Sequence, residues 1–324
     1  MTVWDWFERR SFQHSEFRER AGEHPAVTLI LPARNTGATI GPILDTVMGL
    51  RARTGLPGQV VVVDADSPDG TADIARAHGA EVYSENALLP GYGPVQGKGD
   101  AMWRALSVAR GDIVMFADAD TADFGAHFVY GTLGPLLADP AIQFCKAAYR
   151  RPFRQQEKYV ADGGGRVTEL MAKPLLNRFY PELAGFVQPL AGEFAARRDL
   201  LRNLPFLTGY GVEIGLLIDV LAQVGLAAMA QVDLGARQNR HQPLWDLAKM
   251  SSVVLHAVSL RVPALERPLP AADAPGLWAL RQPEIYLHAV ATADGLRLDE
   301  HLTELLERPP LVTVAPLAAG IGAE

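Results

Sequence analysis

Two hydrophobic periods alternate along the first third of this chain. Short unbroken apolar runs recur, each followed by a polar turn and then a stretch with helical spacing. Val27-Thr28-Leu29-Ile30-Leu31 reads as a buried strand ended by Pro32, with a turn over 34–38 leading into a helix near 39–52. Val60-Val61-Val62-Val63-Asp64 is a second strand of β-branched residues. After it, Ser67 or Asp69 can cap a helix near 70–78. Residues 80–83 form a third short strand and 112–117 a fourth. Runs without polar alternation suit strands buried on both faces. The rhythm predicts an α/β fold, Rossmann-like, with a mostly parallel sheet flanked by helices.

The same reading places a helix near 100–109 and, beyond residue 117, helices near 167–179, 212–224 and 245–262 with a strand near 228–234. Pro- and Ala-rich sequence follows over 263–275, then a further helix over 296–307. The expected organisation is an N-terminal arm (1–25), a first half of the main domain (26–145), a second half (146–244) and a helical or irregular C-terminal appendage (245–324) for packing or dimerisation. Trp4, Trp6 and Phe7 suggest that the arm packs on the body or on a partner subunit.

Composition narrows the field without deciding it. The 324 residues are 48% apolar and 21% charged, enough for a sizeable core. A net charge of -7 argues against general nucleic-acid binding. Cys145, the single cysteine, lies in an apolar run, so a packed thiol is expected rather than a disulfide or a nucleophile. No run approaches the length of a membrane span, and the acidic N-terminus is unlike a signal peptide, so a cytoplasmic protein is expected.

Candidate chemistry gathers where the fourth strand ends, at Asp118-Ala119-Asp120. Residues two apart on a strand face the same way, so the two carboxylates should project together from the edge where open α/β sheets bind ligands. Held close, they would repel, and a hard divalent cation such as Mg²⁺ or Mn²⁺ relieves that conflict. Gly37 is alone in the first strand–helix turn, so a dinucleotide fingerprint is missing. Gly97-Lys98-Gly99 resembles a P-loop only superficially, because Tyr92 and Gly99 stand where that motif needs a glycine and a hydroxyl. A dehydrogenase or kinase is therefore disfavoured, and a glycine-flanked lysine facing a diphosphate remains. Gly163-Gly164-Gly165-Arg166 opens a helix, which suits an anionic group.

In order, Asp64–Thr71, Gly97–Arg104, Asp118–Asp120, Lys146–Pro152, Gly163–Leu170, Gln188–Glu193 and Gly209–Gly215 resemble the retaining GT-A glycosyltransferases that act as glucosyl-3-phosphoglycerate synthases, and their mannosyl relatives. The resemblance covers roughly residues 26 to 250, with an echo at Glu307-Arg308-Pro309-Pro310. It implies donor contacts at Pro32, Ala33, Thr36, Asp64, Ser67, Lys98, Asp118, Ala119 and Leu190, with Ala191 adjoining. Acceptor contacts fall at Gly165, Arg166, Thr168, Asn239 and His241, with Arg240 a further phosphate candidate. Asp120, Lys98 and Glu213 are the catalytic candidates, and Glu193 is a second residue for the sugar pocket. The family's metal-binding histidine aligns with Asn239, while His241 stands two places later; the metal set is read as Asp118, Asp120 and His241. Thr36 replaces an acidic residue, which opens the identity of the donor base.

The implied activity is metal-dependent, retaining transfer of a hexose from a nucleotide diphosphate-sugar, UDP-glucose first, to the hydroxyl of 3-phosphoglycerate, by a homodimer that binds neither nucleic acid nor membrane. GDP-mannose or another donor, another small phosphorylated or carboxylic acceptor, and an inactive nucleotide-sugar-binding protein are the alternatives.

Overall fold

The computed structural model describes residues 1–18, 24–155, 158–160, 164–237, 242–262, 284–292, 295–303 and 305–314. In chain order, helix α1 (Val3–Arg10) runs into strand β1 (Ser11–Gln13). Next come β2 (Val27–Ala33), α2 (Ile40–Thr54), β3 (Gln59–Asp64), α3 (Thr71–Ala77), β4 (Glu81–Ser84), α4 (Lys98–Ala105), β5 (Ile113–Phe116) and α5 (Ala126–Ala138). The second half holds β6 (Phe144–Arg150), the hairpin β7 (Phe153–Gln155) and β8 (Lys158–Val160), α6 (Lys173–Phe179), β9 (Phe194–Arg197) and α7 (Arg198–Arg202). Then follow β10 (Phe206–Leu207), α8 (Val212–Val224), β11 (Met229–Ala236) and α9 (Leu244–Ser259), the hairpin β12 (Glu284–Thr292) and β13 (Gly295–Thr303), and β14 (Glu307–Arg308).

Eight strands form one sheet in the order β1-β11-β6-β9-β5-β2-β3-β4. Every neighbouring pair is parallel except those of β9, which runs antiparallel to both β5 and β6. Alternate residues go to opposite faces: Ile30, Val61, Val63, Val114 and Phe116 enter one core layer, and Leu29, Leu31, Val60, Val62 and Met115 the other. A strand sandwiched this way has no polar face, which is why its sequence shows no alternation.

The antiparallel β9 positions the site. Parallel strands all end at one edge of the sheet, and β9 begins there, so Gly192 and Glu193 arrive beside the ends of β5 and β6. Strand β2 does not stop at Pro32; it continues to Ala33, with Pro32 in register with Val63. Pairing with β5 ends at Ile30, so the donor that proline lacks is not needed on that side.

The sequence reading needs other corrections here. Helix α4 starts at Lys98 itself, two residues before the expected start. The cap of α3 is Gly70, with no side-chain hydrogen bond, although Asp69 accepts the Thr71 N–H at 3.1 Å. The helix expected over 296–307 is instead β13, paired with β12 from Glu284–Thr303 to Thr292–Gly295. Leu296, Leu298 and Leu302 alternate with Arg297, Asp299 and His301, a period of two that suits a strand. The N-terminal arm packs on the body: Trp6 is fully buried, donates from Nε1 to Met229 O at 2.8 Å, and β1 pairs with β11. Residues 305–314 also return to the body, with Leu305 and Leu311 in the core. No helix among the described residues is long and apolar enough to cross a membrane.

Candidate active site

At the ends of β2 and β3 the chain builds a small polar recess. Asp64 closes β3, is 3% exposed, and accepts the Ser67 N–H through Oδ2 at 2.9 Å. Ser67 Oγ accepts the Asn35 N–H, and Thr71 Oγ1 accepts the Thr36 N–H at 3.0 Å. Asn35 and Asp66 both take the left-handed backbone conformation, which these short polar residues tolerate best after glycine. Asp64 Oδ1 and Thr36 Oγ1 are buried with no hydrogen-bond partner among the described residues, so the recess keeps one acceptor and one hydroxyl uncommitted there. Pro32 and Ala33 line the same edge. Ala119 O accepts the Thr39 hydroxyl at 2.7 Å, which fixes the turn between the two acids against α2.

A network of charges lies alongside. Lys98, at the first position of α4, puts Nζ 2.6 Å from Asp118 Oδ1 and 2.8 Å from Glu213 Oε1. Glu213 is at the second position of α8, as the sequence predicted. The other oxygen of Asp118 lies 2.9 Å from Arg237 Nη1, and Arg237 Nη2 lies 3.3 Å from Asp120 Oδ1. The twin acids do converge, therefore, and one guanidinium spans both. Asp120 remains mostly exposed at 71% while Asp118 is 20% exposed. Arg237 also reaches Glu193 Oε1 at 2.7 Å, and the Tyr149 hydroxyl donates to Glu193 Oε2 at 2.9 Å.

Burial opposes the charges of Lys98 and Asp118, but each is outweighed. Asp118 and Glu213 hold the Lys98 ammonium well above its ordinary range, and Lys98 with Arg237 holds the Asp118 carboxyl far below its own. Burial raises Glu193, and burial together with the Glu193 charge pushes Tyr149 up to about 12. Lys146, on β6 and 1% exposed, donates to Ala191 O at 2.8 Å; burial pushes it down to about 8. A Cβ on Gly192 would stand 2.2 Å from Asp118 Oδ1 and 2.6 Å from Lys98 Nζ, so this position must be glycine. Leu190, half-buried, precedes that turn. Cys145 is buried in the core and its thiol is pushed up by burial, as expected of a packed residue.

In the candidate acceptor loop, Gly163 lies outside the described residues, and the rest of the loop leads into a helix. Gly165 has φ +70, and Arg166 opens a helical stretch containing a π-turn over Thr168–Ala172 before α6. Such π-turns recur at functional sites. Thr168 is 1% exposed, and Arg166 Nη2 donates to Gln242 O at 2.9 Å. Asn239, Arg240 and His241 lie outside the described residues. Their neighbours on either side are placed, however: Arg237 in the charge network and Gln242 on the Arg166 guanidinium.

Lys146 and Tyr149 belong to one of the motifs named above, but neither they nor Arg237 drew a role from the sequence. Tyr149 stands near the C-terminal end of β6 and Arg237 just past that of β11, the position that singled out Asp118, so strand ends were the available signal for these two; Lys146, third residue of β6, carries no such mark. The described residues contain no group of three His, Cys, Asp or Glu side chains able to hold a metal. The donor set nevertheless fits a hard cation. Within the network two cations, Lys98 and Arg237, face four carboxylates, Asp118, Asp120, Glu193 and Glu213, which leaves negative charge in excess.

Residues 28–196 match the family described as Glycosyl transferase family 2. A glucosyl-3-phosphoglycerate synthase of Mycolicibacterium smegmatis is 45% identical over 237 residues, 73% of this chain and 78% of its own length. The crystal structure of mannosyl-3-phosphoglycerate synthase from Rubrobacter xylanophilus superposes with a TM-score of 0.84 at 52% identity, over 97% of this chain and 98% of that one. Glucosyl-3-phosphoglycerate synthase from Mycobacterium tuberculosis, crystallised with Mn²⁺, UDP-glucose and phosphoglyceric acid, superposes with a TM-score of 0.72 at 39% identity, over 89% and 91% of the two chains.

Proposed function

The chain belongs to glycosyl transferase family 2 and is a glycosyltransferase; on that premise we propose that it moves a hexose, with retention, from a nucleotide diphosphate-sugar to the hydroxyl of 3-phosphoglycerate. UDP-glucose is the donor we favour. The observation that carries this reading is Lys98 clasped between Asp118 and Glu213 at the sheet's ligand-binding edge. A relative crystallised with Mn²⁺, UDP-glucose and phosphoglyceric acid supports it.

In this reading Asp64 and Thr36 face the base with their uncommitted oxygens, and Pro32, Ala33 and Ser67 flank it. A diphosphate entering a network with excess negative charge needs extra positive charge. Asp118, Asp120 and His241 would hold a divalent cation, Mn²⁺ or Mg²⁺, which would supply that charge. Lys98 neutralises the charge that develops on the departing diphosphate, the interaction that gains most in the transition state. Glu213 and the backbone at Leu190 and Ala191 hold the sugar. Arg166, Thr168 and the backbone of Gly165 hold the acceptor phosphate and carboxylate, with Asn239 and His241 as the further candidates from the sequence, so that proximity does much of the work. Each carboxylate of the charge network already has a cationic partner, and none is placed as a covalent nucleophile. The attacking hydroxyl therefore approaches the face that the diphosphate leaves, and the departing phosphate takes its proton.

Screening UDP-glucose, GDP-mannose and other donors against 3-phosphoglycerate and related acids, with nucleoside diphosphate release as the readout, tests the assignment. UDP release that depends on 3-phosphoglycerate is expected; release from no donor with any of these acids overturns it, and an inverted anomeric centre by NMR overturns retention. The mannosyl name of the Rubrobacter xylanophilus neighbour makes GDP-mannose the second reading, which GDP release would establish. Arg166→Ala should raise the acceptor KM by about tenfold or more with a smaller change in kcat. An unchanged KM removes Arg166 from the acceptor site.

A further inference from the structure

The segment Glu307-Arg308-Pro309-Pro310 takes no part in the chemistry above, yet it fastens onto the helix that carries Lys98. Strand β14 pairs antiparallel with β10, Arg308 opposite Phe206 and Glu307 opposite Leu207. From there the Arg308 guanidinium grips Asp100 with both forks, Nε 3.0 Å from Oδ1 and Nη2 2.6 Å from Oδ2. Asp100 is two residues after Lys98 and fully buried. Its Oδ2 also accepts the Gln96 N–H at 2.9 Å, which pins the backbone two residues before Lys98.

Other contacts close the same clamp. Trp103 Nε1 donates to Pro309 O at 2.8 Å, and Arg308 lies over the Trp103 and Tyr92 rings. Gln96 O accepts the Gly209 N–H at 3.0 Å, at the turn that leads into Glu213. A Cβ on Gly99 would come 1.9 Å from Leu207 O, so α4 rests backbone to backbone on the strand that β14 pairs with. Lys98 thus sits between two fixed points that the C-terminal segment braces; Arg104 Nε, 3.2 Å from Asp100 Oδ1, holds the same carboxylate from within α4. A buried ion pair of this kind is a weak source of net stability, because desolvation offsets most of the attraction. What a bidentate fork supplies is direction.

We propose that Arg308 is a positioning residue for Lys98, acting through Asp100 to fix the Gln96–Lys98 turn in the orientation that meets the donor diphosphate. The proposal rests on the assignment of Lys98 to that diphosphate. Its test compares Arg308→Met, Arg308→Lys, and Arg308→Met combined with Asp100→Asn in the full chain, reading thermal stability, transfer kinetics and the Kd of UDP with Mn²⁺. Arg308→Met should lower kcat by about tenfold or more and weaken UDP by about fivefold, with the acceptor KM within about twofold. In Arg308→Met, Asp100 keeps only the Arg104 Nε at 3.2 Å and the Gln96 N–H; replacing it with Asn removes that under-compensated buried charge, so the double variant should regain stability without regaining kcat. Arg308→Lys, which keeps the charge but loses the fork, should retain stability and still lose kcat, so the outcome is readable even if Arg308→Met fails to fold.

Recovery of kcat along with stability in the double variant, or wild-type kcat and UDP affinity in folded Arg308→Lys, would overturn the positioning role. If wild-type protein transfers no sugar while the variants still lose UDP affinity, positioning stands and the transfer reading falls.

Discussion

Lys146 combines full burial with a single hydrogen bond, to Ala191 O, and its ammonium has no carboxylate in direct contact. Its ordinary pKa of 10.5 falls to about 8 in the folded chain, with burial the main cause. Below pH 8 both folded and unfolded chains carry its proton, and the folded state bears the full cost of burying the charge. Between pH 8 and 10.5 the unfolded chain still binds the proton while the folded one has lost it, so the free energy of unfolding rises with pH, by on the order of 3 kcal/mol across the window. Denaturant titrations at several pH values should show wild type gaining on Lys146→Met over that interval; a constant difference would refute the depressed pKa. Asp120 makes the opposite case, an exposed acid with one long contact to Arg237. Asp120→Ala should leave stability within about 0.5 kcal/mol, as for most surface changes, yet abolish metal-dependent turnover. Near-normal rates would remove Asp120 from the metal site.

At the scale of elements, the turn between Gln188 and Glu193 shows how tightly the pieces interlock. Gly192 leaves room for Asp118 and Lys98 to meet, and an added methyl would have to displace one of them. Gly192→Ala should cost about 1–3 kcal/mol of stability through overpacking. It should also cut kcat by about a hundredfold, because Lys98 moves off the departing charge. Retained kcat would show that the lysine tolerates displacement. Strands β2, β3 and β5 were legible because each is a run of residues buried on both faces, and α8 because its apolar spacing starts right after a glycine turn. Lys98, Asp118 and Glu213 were legible because strand ends and helix starts are marked locally. Strand β9 was not, since Phe194-Ala195-Ala196-Arg197 is too short to show a period, and its antiparallel direction is set only by its neighbours. The helix expected over 296–307 is β13 instead, because three leucines among charged residues fit either period in so short a stretch. Arg237 and Arg308 were hidden for another reason. Their partners lie 119 and 208 residues away in sequence, and no local pattern reports such pairings.

For the whole molecule, both ends of the described chain close onto the central body, but they do so at different places. The C-terminal segment reaches the helix of Lys98, whereas the N-terminal arm adds the edge strand β1 beside β11. Strand β11 leads to Arg237, so the arm has a route to the site. Arg237, however, is held from the other side: its N–H donates to Arg150 O at 2.9 Å, and β11 pairs with β6 from Met229–Phe144 to Ala236–Arg150 across a shift of register between Asp233 and Ala236. The arm's own anchor is Trp6, fully buried against Phe186 at 4.5 Å between ring centroids and hydrogen-bonded to Met229 O, at the opposite end of β11. Trp6→Ala should therefore cost about 3–5 kcal/mol, as large-to-small changes in a packed core do. Donor and acceptor KM of the folded fraction should stay within about twofold. Urea denaturation beside steady-state kinetics separates the two effects. A donor KM that rises in step with the lost stability would mean that strain at the sheet's edge travels along β11 to Arg237, and that the first strand belongs to the site as well as to the fold.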